Sequence, residues 1–446
     1  MSTYSRVGVI IPFYNMTEYI ERCILSIVNE KSVGQIIIVN DGSTDNDTSI
    51  CEKLSRQDNR ITIINTQHKG VVAARNLALE KISTDYITFV DADDWIEKGM
   101  LDDSVQYLNN NRDIDIYING MCREDDNGIK RKMFKIDDVV LIFDKEDALT
   151  ELFKGNYYRW ELCGKVYRSS LFNCFQGDES VIRGEDLDSN WILFNKANKV
   201  TCNSFPRYHY YYNAGSAVNT PEIMLHSMYE VYYKILNSSY DSLNYVKPYL
   251  IKHAYREVIV QIKRLCCDGI EKNREQIKKY QTILMSFSDE DVEKTRNVDI
   301  YGYLGIDYTL REAIEIYGNI DRLVEVYSDI AGTITDEIMK IDTEQNDIFF
   351  YGTGSVAKLI IGVVNKQKMD WNGFIVSDLE LKKSRFYGRP VLRVSEIKDK
   401  DNVVVILAMN EKNEKAVIKD LYIRGFRHVK SLIEPLNSKY RISDWV

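Results

Sequence analysis

The chain has 446 residues, of which 44% are hydrophobic and 28% charged, and its formal net charge at pH 7 is -9. This composition excludes a largely disordered chain, and the length predicts two or three domains of about 150 residues. The negative charge and the lack of a long basic run exclude nucleic acid from the expected partners. No apolar run reaches about 18 residues, so we expect no transmembrane segment. We expect a cytoplasmic protein, and contact with the inner face of a membrane is left open.

The first hundred residues alternate short apolar runs with helical patterns. The apolar runs predict four strands at residues 7–11, 35–39, 61–65 and 86–90. Between the first two, apolar residues recur at helical spacing behind Thr17, which predicts a crossover helix capped by that residue. Repeated strand and helix predict an α/β fold with a mostly parallel sheet, in which ligands bind at the carboxyl ends of the strands.

The rest of the chain predicts two further regions. Residues 1–220 are expected to form the first domain, and residues 221–343 have the apolar periodicity of a helical region that serves as linker, acceptor site or assembly element. Residues 344–446 return to alternation and predict a small Rossmann-like α/β domain. Its "YGTGSVAK" segment has Gly352, Gly354 and Ala357 in GxGxxA spacing, with Asp378 after the next strand. Nucleotide binding and a purely structural or assembly role both stay open for this loop.

Polar clusters follow the four predicted strands: "PFYN" (12–15), "NDGSTDN" (40–46), "HKGVVAARNLALE" (68–80) and "VDADDW" (90–95). Because the carboxyl ends of parallel strands meet at one edge, the clusters are expected to converge there. A nucleotide-sugar would use all of them. Tyr14 can stack on a base, Asp41 can accept a hydrogen bond from it, and Arg75 can donate to a phosphate or a sugar hydroxyl.

The aspartates of "VDADDW" are the strongest indication of a metal site. In an extended segment Asp91 and Asp93 point the same way and can share one ligand, while Asp94 faces elsewhere. Carboxylates of this kind hold Mg²⁺ or Mn²⁺ together with a substrate phosphate. Asp93 is the expected primary ligand, and Asp91 serves the ribose or the metal. The alternative is a polar turn, with Asp94 capping a helix that starts near Trp95.

The order of these clusters, followed later by "RGEDLD", resembles the family 2 glycosyltransferases of the GT-A fold. The resemblance covers roughly the first 220 residues. It implies a nucleoside-diphosphate sugar donor, usually a UDP-sugar, Mn²⁺ or Mg²⁺ at a DxD motif, and inversion at the anomeric carbon. It also implies that Asp91 and Asp93 form the DxD motif, that Pro12 and Tyr14 lie in the donor site, and that Asp41 recognises the base.

The resemblance further implies that Asp186 of "RGEDLD" is the general base, with Glu185 beside it. An acceptor hydroxyl must lose its proton as it attacks the anomeric carbon, which requires a positioned carboxylate. A neighbouring acid raises proton affinity, and the pair can use that effect. The alternative is that these acids cap the helix "LDSNWILF". Asp188 is a lesser candidate for the base.

The segment "RYHYYYNAGSAVN" (207–219) looks like the C-terminal motif of the same family. Tyr211 stands where an arginine often contacts the diphosphate, so Arg207 or Lys165 would have to replace that arginine. His209 is either a metal ligand or a packing residue. Ser216, after Gly215, is expected in a loop that closes over the donor.

These features together predict an inverting, metal-dependent glycosyltransferase that moves a sugar from a UDP-sugar to a glycan, lipid-linked or protein acceptor in cell-surface glycan synthesis. A non-catalytic nucleotide-sugar-binding module is the alternative, although such a module needs no general base. A nucleotidyltransferase would need a glycine-rich basic loop after the first strand, where this chain has "PFYN". The sequence leaves a homo-oligomer open.

Overall fold

The computed structural model describes residues 5–44, 49–125, 130–135, 140–212, 228–295, 310–341, 347–352, 355–366, 370–378, 385–386, 388–409, 411–432 and 435–436. The chain divides into two compact units. The first comprises residues 1–254 with 297–304, and the second comprises residues 255–296 with 305–446. The finer division at residues 220 and 343 stays a prediction.

Four parallel strands form one half of the first unit's sheet. Strand β1 (Val7–Phe13) lies between β2 (Val33–Asp41) and β4 (Tyr86–Phe89), and β3 (Ile61–Thr66) flanks β2. The chain therefore builds β2 and β3 on one side of β1 and β4 on the other. A crevice forms where the strand order reverses in this way, at the carboxyl ends of β1 and β4. The candidate site should be sought at that edge.

Within the described residues, the sheet has ten strands, and its second half is mixed. These strands are β5 (Trp95–Ile96), β6 (Ile116–Asp125), β7 (Lys130–Lys132), β8 (Val140–Asp144), β9 (Lys165–Arg168) and β10 (Lys199–Tyr212). Strand β9 runs antiparallel to β4 and β6, whereas β10 is parallel to β6 and antiparallel to β5 and β8. The long β10 returns to the crevice because it pairs with β5, directly after the aspartate cluster.

The helices of the first unit are α1 (Thr17–Ile27), α2 (Ser49–Gln57), α3 (Val71–Leu79), α4 (Met100–Asn110), α5 (Lys145–Lys154), α6 (Glu185–Lys196) and α7 (Tyr229–Leu236). A 3-10 turn spans Ser169–Phe172. The predicted crossover helix is α1, whose apolar face is buried, but Thr17 is its first residue and not its cap. The N-cap position is Met16, which makes no side-chain cap bond.

The next helix, α8 (Leu243–Gly269), contains the division between the two units. The helices of the second unit are α9 (Arg274–Met285), α10 (Asp289–Thr295), α11 (Leu310–Tyr317), α12 (Ile320–Ile338), α13 (Ser355–Lys366) and α14 (Glu411–Ile423). The predicted helical middle region is therefore helical where it is described. None of the helices in the described ranges is both long and apolar enough to span a membrane.

A second, smaller sheet completes the second unit. Its order is β13 (Arg385–Phe386), β14 (Arg389–Arg393), β12 (Gly373–Val376), β11 (Asp347–Tyr351), β15 (Val403–Leu407) and β16 (His428–Ser431). All neighbours are parallel except β13 and β14. The α/β fold class, with a helical region and a small C-terminal α/β sheet, is confirmed.

The predicted GxGxxA loop follows the central strand β11, at the point where the strand order of this sheet reverses. Gly352 has a φ of 103° there, a backbone conformation that favours glycine. Asp378 is already engaged, because one oxygen accepts a bond from Ser395 N at 3.0 Å and the other lies 2.6 Å from Arg424 Nη1. Gly354 lies outside the described residues. Nucleotide binding by this loop stays a prediction.

Candidate active site

A tight turn follows β4 at the carboxyl edge of the sheet. The strand ends at Phe89, and the Asp94 amide donates to the Asp91 carbonyl at 3.0 Å. A turn of this kind brings residues three apart together. Ligand atoms of Asp91, Asp94 and Cys163 consequently lie within 4.8 Å of one another. The prediction that Asp94 faces away from Asp91 is wrong, because the extended backbone on which it rested stops before Asp91.

Asp94 is a buried structural acid in this turn. One carboxylate oxygen accepts a bond from Tyr208 Oη at 2.6 Å, and the other accepts one from the Tyr211 amide at 2.7 Å. Burial, followed by the charges of Asp91 and Asp93, raises its pKa well above the usual value. The residues after it form β5, and α4 begins only at Met100. The alternative that Asp94 caps a helix at Trp95 is therefore wrong, and its bonds instead hold β10 against the turn.

Arg75 lies at the centre of a cluster of acids. Its Nη1 is 2.8 Å from Asp186 Oδ1 and 3.8 Å from Glu185 Oε1, and its Nη2 is 3.3 Å from Asp91 Oδ1. The side chain is 8% exposed, and its Nε has no hydrogen-bond partner among the described residues. Burial works against its charge, but the acids outweigh that effect and raise its pKa. One guanidinium thus faces three carboxylates, and the site is short of positive charge.

The two acids of "RGEDLD" open helix α6. Gly184 is the N-cap residue, with a φ of 87°, and no side chain caps the helix there. Glu185 and Asp186 lie in the first turn, where the helix dipole stabilises negative charge, so neither acid is the cap. Asp188 faces a different partner, since its carboxylate lies 2.9 Å from Lys234 Nζ.

The two neighbouring acids differ in their surroundings. Both oxygens of Asp186 are engaged, one by Arg75 and the other by the Leu162 amide at 3.1 Å. Burial and the charge of Asp186 raise the pKa of Glu185 to about 7. Glu185 therefore changes its charge near neutral pH. Proton transfer is most efficient when the pKa of the transferring group lies near the working pH.

A second cluster follows β1 and β2. The Tyr14 ring stacks on His68 with centroids 4.1 Å apart, and Tyr14 is 38% exposed. His68 Nδ1 lies 2.9 Å from Asp41 Oδ2. The buried Asp41 carboxylate also accepts bonds from the Lys69 and Gly70 amides, each at 2.9 Å. The structure thus brings Tyr14 and Asp41 together through His68, and their roles toward a base stay predictions. Sequence reasoning missed His68, although it opens the third polar cluster.

Where they are described, the remaining residues predicted for the donor site are not part of either cluster. Pro12 is buried within β1, beside the crevice. Ser216 and Gly215 lie outside the described residues. Among the proposed replacements for the missing arginine, Lys165 is buried and donates to the Glu161 carbonyl. Arg207 lies 2.7 Å from Asp103 and bonds the Lys98 carbonyl, so both cations have other partners.

His209 is surrounded by carboxylates and an indole ring. It stacks on Trp95 at 3.5 Å, its Nε2 lies 3.1 Å from Glu97 Oε1, and its Nδ1 lies 3.2 Å from Glu124 Oε2. Burial lowers its pKa. Within the described residues it is not part of the compact group around Asp91. Packing and ligation both stay predictions, and both ring nitrogens already face carboxylate oxygens.

The side chains of the turn offer the oxygen atoms that a divalent cation prefers. Among the described residues, the compact group of possible ligands comprises Asp91, Asp94 and Cys163 and does not include Asp93, so metal binding stays a prediction. Asp91 and Asp93 are half-buried and offer carboxylate oxygens, the ligands that Mg²⁺ and Mn²⁺ prefer. Burial and the charge of Asp91 raise the pKa of Asp93 to about 6, so the charged form of this carboxylate is disfavoured. A bound cation would favour the charged form again. Cys163 is a poor ligand for these ions, because it is a soft donor and burial raises the pKa of its thiol well above the usual value.

The comparison with known proteins defines the class. Residues 8–172 match the profile of glycosyl transferase family 2. This part of the chain is therefore a family 2 glycosyltransferase domain of the GT-A fold, and the resemblance noted in the sequence is confirmed. The match ends before Glu185 and Asp186, so their roles rest on geometry and on the predicted motif.

Several curated proteins are similar to this chain. It is 29% identical over 220 residues to the putative glycosyltransferase EpsH of Bacillus subtilis, a match that covers 48% of this chain and 62% of EpsH. It is 42% identical over 99 residues to the glycosyltransferase GlyA of Streptococcus pneumoniae, covering 22% and 14%. It is 26% identical over 244 residues to the poly(ribitol-phosphate) beta-N-acetylglucosaminyltransferase TarS of Staphylococcus aureus, covering 52% and 41%. The chain thus spans less than two thirds of each relative.

A solved structure shares the fold. The crystal structure of residues 1-349 of S. aureus TarS in complex with UDP aligns with a TM-score of 0.54 at 20% identity. The alignment covers 73% of this chain and 91% of that one. At this identity, the likeness establishes the fold alone.

Proposed function

We propose that this protein transfers a sugar from a UDP-sugar to a hydroxyl group of an acceptor, with inversion at the anomeric carbon. One observation carries the proposal: a single sheet edge joins the Tyr14 and Asp41 cluster, the Asp91 and Asp93 carboxylates and the Glu185 and Asp186 pair. These are an aromatic and polar surface for a base, oxygen ligands for a cation at a diphosphate, and acids for a proton. The proposal is supported by the similarity to proteins named glycosyltransferases.

The donor and acceptor classes follow from chemistry and from the relatives. TarS is named an N-acetylglucosaminyltransferase acting on poly(ribitol-phosphate), and its structure was solved with UDP. These names favour a UDP-sugar donor and an acceptor in cell-surface glycan synthesis. The sugar and the acceptor are further parts of the proposal, since the family alone does not specify them.

In the proposed mechanism, the acceptor oxygen attacks the anomeric carbon from the side opposite the departing UDP. Its proton passes to a carboxylate at the start of α6 as the new bond forms. A divalent cation held by Asp91 and Asp93 would neutralise the charge that develops on the leaving diphosphate. Arg75 holds the acids in place through its contacts with Asp91 and Asp186.

Two acids compete for the role of base. We propose Asp186, because the predicted motif assigns the role to that position and Arg75 orients its carboxylate. The competing candidate is Glu185, because burial and the charge of Asp186 raise its pKa to about 7, close to the neutral pH at which proton transfer is most efficient. Separate isosteric substitutions, Asp186→Asn and Glu185→Gln, distinguish the two candidates.

The direct test is a donor screen with the full chain. Purified protein is incubated with a panel of UDP-sugars and other nucleotide-sugars in Mn²⁺ or Mg²⁺, and released nucleoside diphosphate is measured. We expect UDP release from one UDP-sugar, even without acceptor, because water replaces the hydroxyl slowly. Binding of UDP without release in any reaction, with candidate acceptors included, would instead favour the non-catalytic binding module. Preference for a donor whose nucleoside is not uridine would contradict the proposal of a UDP-sugar donor.

Asp93→Asn tests the metal site. We expect UDP affinity in Mn²⁺ to fall by about 10-fold or more, since the variant loses a charged ligand, while affinity in EDTA stays the same. Calorimetric titration with UDP measures both conditions. Asp113→Asn is the matched control, because Asp113 is 63% exposed and pairs only at the surface with Lys199. A wild-type protein whose UDP affinity and turnover are unchanged by EDTA would rule the site out.

A further inference from the structure

One arginine of α1 lies over the aspartate turn. Arg22 Nη2 donates to the Asp93 carbonyl at 2.8 Å, and its guanidinium carbon lies 4.5 Å from the centroid of the Tyr211 ring. The guanidinium is thus fixed at two points, by a hydrogen bond and by an aromatic face. It carries five N–H donors, and this hydrogen bond uses one of them. Among the described residues, Nε and Nη1 have no hydrogen-bond partner, and the side chain makes no ion pair.

This arginine differs from the other cations near the site. Arg75 is surrounded by three carboxylates, whereas Lys165 and Arg207 have partners elsewhere. Arg22 is exposed, and its charge acts on Asp93 against the burial and the Asp91 charge that raise the pKa of that acid. A positive charge without a carboxylate partner therefore stands at the rim of an acidic turn. An anion that approaches the turn would meet this guanidinium.

We infer that Arg22 binds the diphosphate of the nucleotide-sugar donor and that Tyr211 is the platform that orients it. The inference rests on the proposed function, because it names the residue that contacts the donor's phosphates. A planar guanidinium with free donors matches phosphate oxygens in a fork-shaped arrangement. Stacking on Tyr211 restrains the side chain before binding, which reduces the entropy lost on contact. The bond to Asp93 places the charge beside the proposed metal ligand.

A purely structural role for Arg22 is the competing explanation. The same contacts could clamp α1 to the turn without any contact with phosphate. The two roles differ in how they depend on the ligand. A phosphate contact affects nucleotides with phosphates and leaves the nucleoside unaffected. A clamp affects the whole site, so uridine and UDP would weaken together.

The experiment titrates uridine, UMP and UDP into the full-length wild-type protein and into variants, in Mn²⁺, by calorimetry. Arg22→Gln removes the charge, and Arg22→Lys keeps it without the fork. Arg56→Gln is the matched control, since Arg56 is 79% exposed on α2 and pairs with Glu52. We expect Arg22→Gln to lower UDP affinity about 10- to 100-fold and uridine affinity less than about twofold. Arg22→Lys should recover part of the UDP affinity, and Arg56→Gln should bind all three ligands like the wild type.

Two results for Arg22→Gln would overturn the inference: unchanged UDP affinity, or an equal loss for all three ligands, which indicates a clamp. In either case a wild-type protein that binds UDP more tightly than uridine leaves the proposed function standing. A wild-type protein that binds none of the three ligands would overturn both the inference and the proposed function. The wild-type titration therefore separates the two failures.

Discussion

Replacing Asp186 with asparagine is expected to lower kcat for sugar transfer by about 100- to 10,000-fold, the usual contribution of a general base. UDP affinity should change by less than about threefold, because the substitution leaves the base-binding cluster and the aspartate turn unaltered. An amide cannot take up the acceptor proton at neutral pH. UDP release with a saturating acceptor measures kcat, and calorimetric titration measures the affinity.

The same variant should also be less stable. The two oxygens of Asp186 accept bonds from Arg75 and from the Leu162 amide, so the new NH₂ group must face one of these donors. We expect a loss of about 1 to 3 kcal/mol in the free energy of unfolding, measured by urea denaturation. Kinetics should therefore be recorded at 25 °C or below, where the folded form predominates, so that the loss of kcat reports chemistry.

Glu185→Gln is the matched substitution for this test. The pKa of Glu185 is raised to about 7 in the fold, so the native state holds a proton that the unfolded chain releases near pH 4.5. Wild-type stability from this residue is therefore lost as the pH rises from about 4.5 to 7, and glutamine avoids that loss. Glu185→Gln should be more stable than the wild type at pH 8 and equal to it at pH 4. If this variant loses transfer while Asp186→Asn keeps it, Glu185 is the base.

Replacing Arg75 with methionine is expected to destabilise the protein by about 3 kcal/mol at pH 8, because it leaves three half-buried carboxylates without their buried counterion. Asp91, Glu185 and Asp186 would then repel one another, and the already raised pKa values of Asp91 and Glu185 would rise further. A carboxyl group with a raised pKa lowers the stability of the fold at any pH at which it must give up its proton. The loss should therefore be smallest near pH 5 and should grow as the pH rises to 8.

Urea denaturation of Arg75→Met from pH 5 to pH 8 measures this effect. Millimolar Mn²⁺ should restore part of the stability at pH 8, since a dication at Asp91 would replace the missing charge. Arg56→Met serves as the control, because its exposed pair with Glu52 should contribute less than about 1 kcal/mol at any pH. A loss that is independent of pH would mean that Arg75 acts by packing, and the acids would not form one electrostatic unit.

Local patterns in the sequence were sufficient to predict much of the fold. Apolar runs bounded by polar residues identified the first four strands, and the run at residues 86–90 differs from β4 (Tyr86–Phe89) by one residue. Helical periodicity identified α1, and the order of the polar clusters led to the family. These features depend on neighbours along the chain, because strand and helix periodicities repeat within a few residues. The prediction that Thr17 caps α1 is wrong by one position, because the residue at which a helix starts is not fixed by its apolar periodicity.

The amino-acid sequence by itself determined the fold class, the family and the polar clusters that follow the first four strands. Only the tertiary structure decided which charged groups at the sheet edge contact one another. It folds Asp94 back beside Asp91, commits Arg75 to Asp186 across 111 residues, and brings Arg22 to Asp93 across 71 residues. Such pairings depend on how helices pack over the sheet, because residues so distant in the chain share no local period. The charge balance of the site is therefore a property of the fold.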